Sequence, residues 1–246
     1  MTGREGYAAA ADATALVFVP SVVVDGALEI EGMDGHHLAR VRRIEVGERV
    51  VVADGRGLWR RCVVVAVHDG ALRLEPEHEP RHEPQAEPRL AVAFAPAKAD
   101  GAATVVRQLV ELGVNRVIPI LTRRGVVRWQ GARADRVLDR LTRIAAEAAA
   151  RAHRALLPAV EPAVELTALA GHPGLVLADP DGVRASEISD PPGGEWLVVI
   201  GPEGGLDETE IAALHPWRRL AVGPYTLRSV TAPTAVAAAL AGSRRW

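Results

Sequence analysis

Two short stretches near the C-terminus hold the residues whose types and spacing could do chemistry. The first is Gly201-Pro202-Glu203-Gly204-Gly205, with Asp207 and Glu210 behind it. The second is Gly223-Pro224, followed by Leu227-Arg228-Ser229 and Thr231-Ala232. Glycine lacks the Cβ that blocks positive φ and close contact, so backbone in these stretches can turn sharply and come close to a ligand. Glu203 and Arg228 are the charged groups the two stretches present.

The elements that must position them are legible on either side. Trp196 to Ile200 is an apolar run of strand length that empties into the first glycine stretch. Asp207 with Glu210 three residues on is an aspartate version of a capping box, predicting a helix from Glu208 to about Leu214. A second strand, Arg219 to Val222, precedes the second stretch, and an alanine-rich helix follows from about Ala232 to Ala241. Two successive strand-loop-helix units bring both loops to one edge of a parallel sheet, where open α/β sheets bind ligands. A small-molecule site between the loops is one reading; an ordinary pair of strand-to-helix turns is the other.

The pair of motifs is specific. IGPEGG with an E-x-x-x-L helix, then VG-x-x-x-LR and a Thr-Ala helix start, resembles the trefoil-knot (SPOUT) methyltransferases, most closely the family that methylates N3 of a uridine in 16S ribosomal RNA. The resemblance implies an α/β fold in which a knotted parallel-sheet SPOUT domain follows a small PUA-like β-barrel. It implies S-adenosyl-L-methionine as cofactor, held by Leu177, Ile200, Gly201, Pro202, Glu203, Gly204, Gly205, Val222, Leu227, Arg228, Thr231 and Ala232. It also implies the small ribosomal subunit as substrate, a homodimer formed through the knot helices, and no metal. Composition and periodicity predict no knot; the residues alone read as an unknotted doubly wound sheet, true knots being rare.

Methyl transfer from a sulfonium asks the protein to align methyl and nitrogen and to exclude water. Uridine N3 must also lose its proton, which calls for a base or for donors that stabilise the resulting anion. Arg228 matches the family's LR-T motif and is the candidate catalytic residue through the second route, with phosphate binding as its alternative. Glu203 either contacts the ligand or braces its loop.

With 246 residues, 48% of them hydrophobic, the chain has core enough for one large domain or two small ones. No apolar run approaches the length of a bilayer span, and the first residues have too weak an apolar core for a signal peptide, so the expected location is cytoplasmic. Cys62 is the single cysteine, which excludes an intramolecular disulfide and a cysteine-built zinc site; its VVV context marks it as a core residue. A net charge of −2 announces no global basic field, so RNA contact must come from local patches. Lys98 is the only lysine and has no glycine loop before it, which excludes a Walker-type phosphate loop.

Along the chain, residues 1–15 are expected to be a mobile N-terminus and 16–74 an antiparallel barrel or sandwich, starting with strand Leu16 to Val19. Asp54-Gly55 and Asp69-Gly70 are its hairpin signals. Glu75 to Pro88, rich in proline and glutamate, reads as an extended linker, and 89–246 as the SPOUT domain. That domain opens with strand Leu90 to Ala95, a helix from about Gly101 to Leu112, and strand Val117 to Leu121. A long helix is predicted from about Ala132 to His153, with Val137, Leu138, Leu141, Ile144, Ala145 and Ala148 giving its periodicity. Arg133, Arg136, Arg140 and Arg143 lie on its polar face. Leu175 to Ala178 is a further strand, and Asp179-Pro180-Asp181-Gly182 after it reads as a turn in preference to a metal site.

His36-His37-Leu38-Ala39-Arg40-Val41-Arg42-Arg43 is similar to the family's HHL-x-R-V-x-R motif and implies an RNA-docking surface on the barrel. The arginines expected to meet RNA are Arg40, Arg43, Arg123, Arg124, Arg128 and Arg154; a solvated charged face is the alternative. Lys98, Glu111-Leu112-Gly113-Val114 and Pro119 also match the family frame. Departures stand at Arg42 for leucine, Gln108 for lysine, Arg151 and Ala152 for glutamine and serine, and Val230 for glutamate, so a carboxylate base at 230 is unavailable. They motivate a rival: a diverged SPOUT-fold protein that binds RNA without this activity, or with another RNA target. A nicotinamide oxidoreductase on a plain doubly wound sheet is a second rival, and it lacks a G-x-G-x-x-G after its first strands.

Overall fold

A computed structural model of the chain describes residues 13–23, 26–97 and 100–245. The expected mobile N-terminus falls mostly on residues outside that set, as does Lys98. Ala13, at its end, is buried and Ala15 already lies in a strand, so the packed chain starts slightly before residue 16.

Two units divide the chain by their contacts. One is 1–85 with 149–157 and 246; the other is 86–148 with 158–245. The first contains β1 (Ala15–Phe18), β2 (Leu28–Ile30), β3 (Arg49–Ala53), β4 (Leu58–His68), β5 (Ala71–Pro76) and β6 (Arg81–His82). Their order is β1-β3-β4-β5-β2, with β6 on β4. Pairing is antiparallel as expected, except that β1 runs parallel to β3. Asp69 (φ 40°) and Gly70 (φ 88°) join β4 to β5 with positive φ at both positions, the backbone a two-residue hairpin with the right twist demands. Alternation in β3 sends Val50 and Val52 into one apolar cluster with Cys62 and Leu74, and Val51 and Ala53 into another with Leu16 and Trp59. Burial pushes the Cys62 thiol up to about 11, so it stays a protonated core residue. The HHL motif forms α1 (Gly32–His36) and one π-helical turn, His37–Val41, that buries Leu38.

The stretch from Glu75 to Pro88, expected as an extended linker, divides between elements. Its start completes β5, Arg81–His82 pairs with β4, and Glu83 is buried where its carboxylate accepts the Ala155 N–H. Burial raises the Glu83 pKa, with that N–H opposing. The second unit begins at Ala86.

The second unit is a seven-stranded sheet of β7 (Arg89–Phe94), β8 (Arg116–Leu121), β9 (Ala159–Val160), β10 (Val164–Glu165), β11 (Leu175–Arg184), β12 (Glu195–Ile200) and β13 (Arg218–Ala221). The order is β10-β8-β7-β12-β11-β13, β9 pairs with β8, and every pairing is parallel. Continuous apolar strands suit a sheet covered on both faces, and all of β12 is buried. Among the described residues four α-helices accompany it: α2 (Gly101–Glu111), α3 (Ala132–Arg151), α4 (Glu208–Leu214) and α5 (Ala232–Ala241). Gln108 of α2, where the family has lysine, accepts a hydrogen bond from Thr234 of α5 at 2.7 Å.

The long helix α3 stops at Arg151, two residues short of the expected end, and His153 takes φ 52°. Its buried stripe is Leu141, Ala145, Ala148 and Ala149; Val137, Leu138 and Ile144 are only half-buried. The apolar pattern is therefore wider than the face the chain covers. Arg133, Arg136, Arg140 and Arg143 are exposed as expected, and Arg140 reaches Asp100 at 2.6 Å. Among the described residues no helix is long and apolar enough to cross a membrane.

Candidate functional site

The carboxyl ends of β12, β11 and β13 lie side by side, and the loops leaving them enclose a cavity of about 340 Å³. That volume falls within the range of small-molecule sites. Ile200 to Glu203, Gly205 and Leu206 form one wall, Leu177 to Pro180 a second, and Leu220 to Gly223 with Tyr225 to Leu227 a third. Ile211 of α4 and Ala232 and Val236 of α5 complete it. Aliphatic side chains dominate the lining, and its polar groups are few.

Local chemistry explains why the first loop holds its shape. Gly205 has φ 69° and its N–H donates to the Pro202 carbonyl at 2.8 Å, a turn that a side chain would strain. Behind it the capping box forms as the spacing predicts: Asp207 accepts the Glu210 N–H at 2.8 Å, and Glu210 accepts the Asp207 N–H at 3.0 Å. The Thr209 hydroxyl, above all, and then the Glu210 amide hold the Asp207 carboxyl down to about 2.

That shift sets a testable acid dependence. The folded-state value lies below the unfolded one, so the stabilisation is held above about pH 4 and drains as the pH falls toward about 2. Asp207→Ala is expected to melt at a lower temperature than the wild type at neutral pH, through loss of the cap. Calorimetric melts over that window should show the two melting temperatures converging; a gap that stays constant would contradict the assignment.

Glu203 is exposed at the cavity mouth, and its carboxylate accepts a hydrogen bond from the buried Ser229 hydroxyl. That bond, helped by the residue's own amide, lowers the Glu203 pKa, so the group is ionised at neutral pH. One contact thus joins the two loops across 26 residues of sequence. On the opposite wall Asp179 accepts from the Asp181 N–H at 3.0 Å and from Arg219 at 2.9 Å. The Asp-Pro-Asp-Gly segment, expected as a turn after a strand ending at Ala178, instead lies inside β11 as a bulge: Ala178 and Val183 both face Leu220 of β13, and the residues between them loop out of register. Asp179 and Pro180 of that bulge also line the cavity.

Of the residues expected to hold a ligand, Leu177, Ile200, Gly201, Pro202, Glu203, Gly205, Val222, Leu227 and Ala232 meet in this cavity. Gly204, Arg228 and Thr231 stand beside it without lining it. The carbonyl of Arg228 accepts the N–H groups of Thr231 and Ala232, both at 2.9 Å, which starts α5. Its side chain is exposed and has no hydrogen bond or ion pair among the described residues. Tyr225, Thr226 and Ser229 line the cavity and were not foreseen; only the exposed Gly-Pro turn around Tyr225 offered a signal.

The arginines of the basic loop are engaged within their own unit. Arg123 donates to Asp207 at 3.0 Å and, through its N–H, to Glu210 at 2.8 Å. Arg124 donates to the Gly204 carbonyl at 2.9 Å. Arg128 clips its own loop, donating to the Thr122 and Gly125 carbonyls. Arg40 and Arg43 are exposed on the first unit, and half-buried Arg154 belongs there too, beside Glu83. Among the described residues no group of three or more His, Cys, Asp or Glu could hold a metal ion.

Comparison with known proteins agrees with this geometry. The family model of an RNA methyltransferase domain matches residues 84–241, and that of an RNA methyltransferase PUA domain matches residues 30–77. The ribosomal RNA small subunit methyltransferase E of Mycobacterium bovis is 33% identical over 245 residues, covering 94% of this chain and 93% of the relative. Its Bacillus subtilis counterpart is 28% identical over 218 residues, covering 83% and 85%. The solved structure of the Neisseria gonorrhoeae ribosomal RNA small subunit methyltransferase E, bound to S-adenosyl methionine, matches with TM-score 0.78 and 25% identity over 92% of this chain and 96% of that one. With its PUA unit, parallel sheet and loop-built cavity, the chain belongs to the ribosomal RNA small subunit methyltransferase E family.

Proposed function

We propose that this chain methylates N3 of a uridine in the 16S ribosomal RNA of the small subunit, in the decoding region, with S-adenosyl-L-methionine as methyl donor. One observation carries the reading: residues from three strand ends and α5, expected separately to meet that cofactor, line a single cavity. The cavity fits the group. Leu177, Ile200, Leu220 and Leu227 offer apolar walls to an adenine, and glycine at 201 lets the Leu206 side chain pack against the loop, since a Cβ there would stand 3.2 Å from it. When bound, the cofactor supplies an activated methyl group.

The chain's own residues bind, orient and exclude water. Glu203, held ionised by Ser229, presents a negative charge to a cationic ligand at the mouth. A carboxylate of lowered pKa is a poor base, so Glu203 anchors and does not take the N3 proton. Val230 is half-buried and offers no base either. Arg228 fills the remaining role, stabilising charge on the base oxygens as N3 is deprotonated. Arg40, Arg43, Arg123, Arg124 and Arg154 contact RNA phosphates, and Arg128 shapes the loop that presents its neighbours. The knotted threading of the C-terminal segment, a homodimer and a cytoplasmic location belong to the same reading.

The test is transfer of labelled methyl from S-adenosylmethionine to small ribosomal subunits from a strain lacking this protein, followed by nucleoside analysis. Label in 3-methyluridine is the expected result. Label in another nucleoside would move the target. Cofactor bound with no label anywhere would favour an RNA-binding protein without this activity, the alternative suggested by Arg151, Ala152 and Val230.

A further inference from the structure

A large aromatic ring stands exposed at the cavity mouth. Tyr225 lines the cavity while 81% of its surface is open. It sits on the loop between β13 and α5, whose ends are fixed: Leu220 is 1% exposed, and Ser229 is buried and bonded to Glu203. Val222 and Leu227, both partly exposed, flank it on the same loop and line the same cavity. Among the described residues Tyr225 has no hydrogen-bond or ring-stacking partner. Phenylalanine, tryptophan and tyrosine together make up only 4% of the chain, so an aromatic left in water on a Gly-Pro turn is not a sample of an aromatic-rich surface.

Chemistry on a nucleobase requires the base to leave its stack, and single-stranded bases taken by proteins are held by aromatic faces as well as by polar contacts at their edges. Glu203 lines the cavity mouth and the exposed Arg228 stands beside it, so polar groups for edges and charge are close by. Tyr225 offers a face. We propose that Tyr225 is the stacking platform for the target pyrimidine base, holding it flat at the cavity mouth while the base edge meets Arg228. This rests on the methyltransferase reading above and extends it to how the substrate base is held. Stacking needs the ring and not the hydroxyl, which separates it from a hydrogen-bonding role.

The experiment uses the full chain, with Tyr225→Ala and Tyr225→Phe beside the wild type, in methyl transfer to small ribosomal subunits. Cofactor affinity is read by calorimetry and association state by sedimentation. Tyr225→Ala is expected to lower kcat/KM for RNA roughly 10- to 100-fold, the range that loss of one base–aromatic stack gives. Tyr225→Phe should stay within about 3-fold of wild type, because the stacking face survives. Cofactor affinity and sedimentation should not change in either variant.

Equal loss in both variants would assign the effect to the hydroxyl and overturn the stacking role. Cofactor binding weakened as much as turnover would place the ring over the cofactor instead, and altered sedimentation would place it against a second copy of the chain; either result overturns the proposal. Full activity in Tyr225→Ala sinks the stacking role alone. Wild-type protein that labels no RNA sinks the methyltransferase reading, and the platform with it.

Discussion

Replacing Arg244 by methionine is expected to cost the second unit roughly 3 kcal/mol, the scale of stranding two buried carbonyls and loosening two half-buried acceptors at once. The Arg244 side chain is buried, and four neutral acceptors among the described residues receive its donors. Nε reaches the Pro88 carbonyl at 2.8 Å, Nη1 the Gly113 carbonyl at 2.8 Å, and Nη2 the Ala86 carbonyl at 3.0 Å and the Asn115 side-chain oxygen at 2.7 Å. These come from the start of the unit, the loop after α2 and the turn into β8. Beside them, Arg245 and Glu87 exchange both backbone hydrogen bonds. A methionine fills much of the volume and satisfies none of the acceptors.

Hydrogen exchange at the β7 and β8 amides reads that loss in the right unit, and thermal melts should show a drop of roughly 6 to 12 °C for a chain of this size. Arg244→Lys keeps the charge but has no planar fork, so it should recover only part of the loss. Unchanged exchange in Arg244→Met would mean that the acceptors find water and that the guanidinium is dispensable.

This anchor was invisible in the sequence for a physical reason: its partners lie up to 158 residues away, and a pair of arginines just past a helix reads as solvated charge. Local signals did better. The helix α4 matches its expected bounds because Asp207 and Glu210 are three residues apart and both bonds of the box form. Strands β7, β8 and β12 fall within a residue of expectation because a doubly covered strand is a continuous apolar run with polar ends. What failed were pairings of short or charged segments. Proline and glutamate around Arg81 mask a strand that exists only because β4 offers an edge, and Glu83 is buried by a segment 72 residues away.

The same limit divides the candidate site. Backbone geometry could be anticipated, since glycine type reports what the chain must do, and most of the expected cavity residues do line it. Side-chain assignments could not, because residue type says nothing of which partner is in reach. Arg123, Arg124 and Arg128 look alike in sequence, yet the first braces the α4 cap, the second holds the Gly204 carbonyl and the third closes its own loop. The Ser229–Glu203 contact is likewise a product of folding, joining loops that the sequence presents as separate motifs.

Arg228→Ala is expected to leave the fold intact and lower methyl transfer by roughly 100- to 1,000-fold, the range seen when one donor to a developing anion is removed. The two halves of that statement have separate grounds. Only the Arg228 backbone has a structural task, accepting the two N–H groups that start α5, and alanine keeps that carbonyl. The exposed side chain bonds to no described residue, so its loss should change stability by no more than about 0.5 kcal/mol. The activity half rests on the lack of an alternative. Glu203 is held ionised and bonded to Ser229 and Val230 cannot accept a proton, so under the proposed uridine-N3 reaction the deprotonated base depends on a cation to hold the charge left on its oxygens. Kinetics separate this from phosphate binding. A fall in kcat at saturating RNA marks an interaction made in the transition state, whereas a rise in KM with kcat preserved, together with a shallower salt dependence of RNA affinity, marks a phosphate contact. Arg228→Lys refines the answer, since a point charge can serve a phosphate but cannot present two parallel donors to one base edge. Wild-type turnover in Arg228→Ala would remove Arg228 from the chemistry and leave deprotonation to solvent.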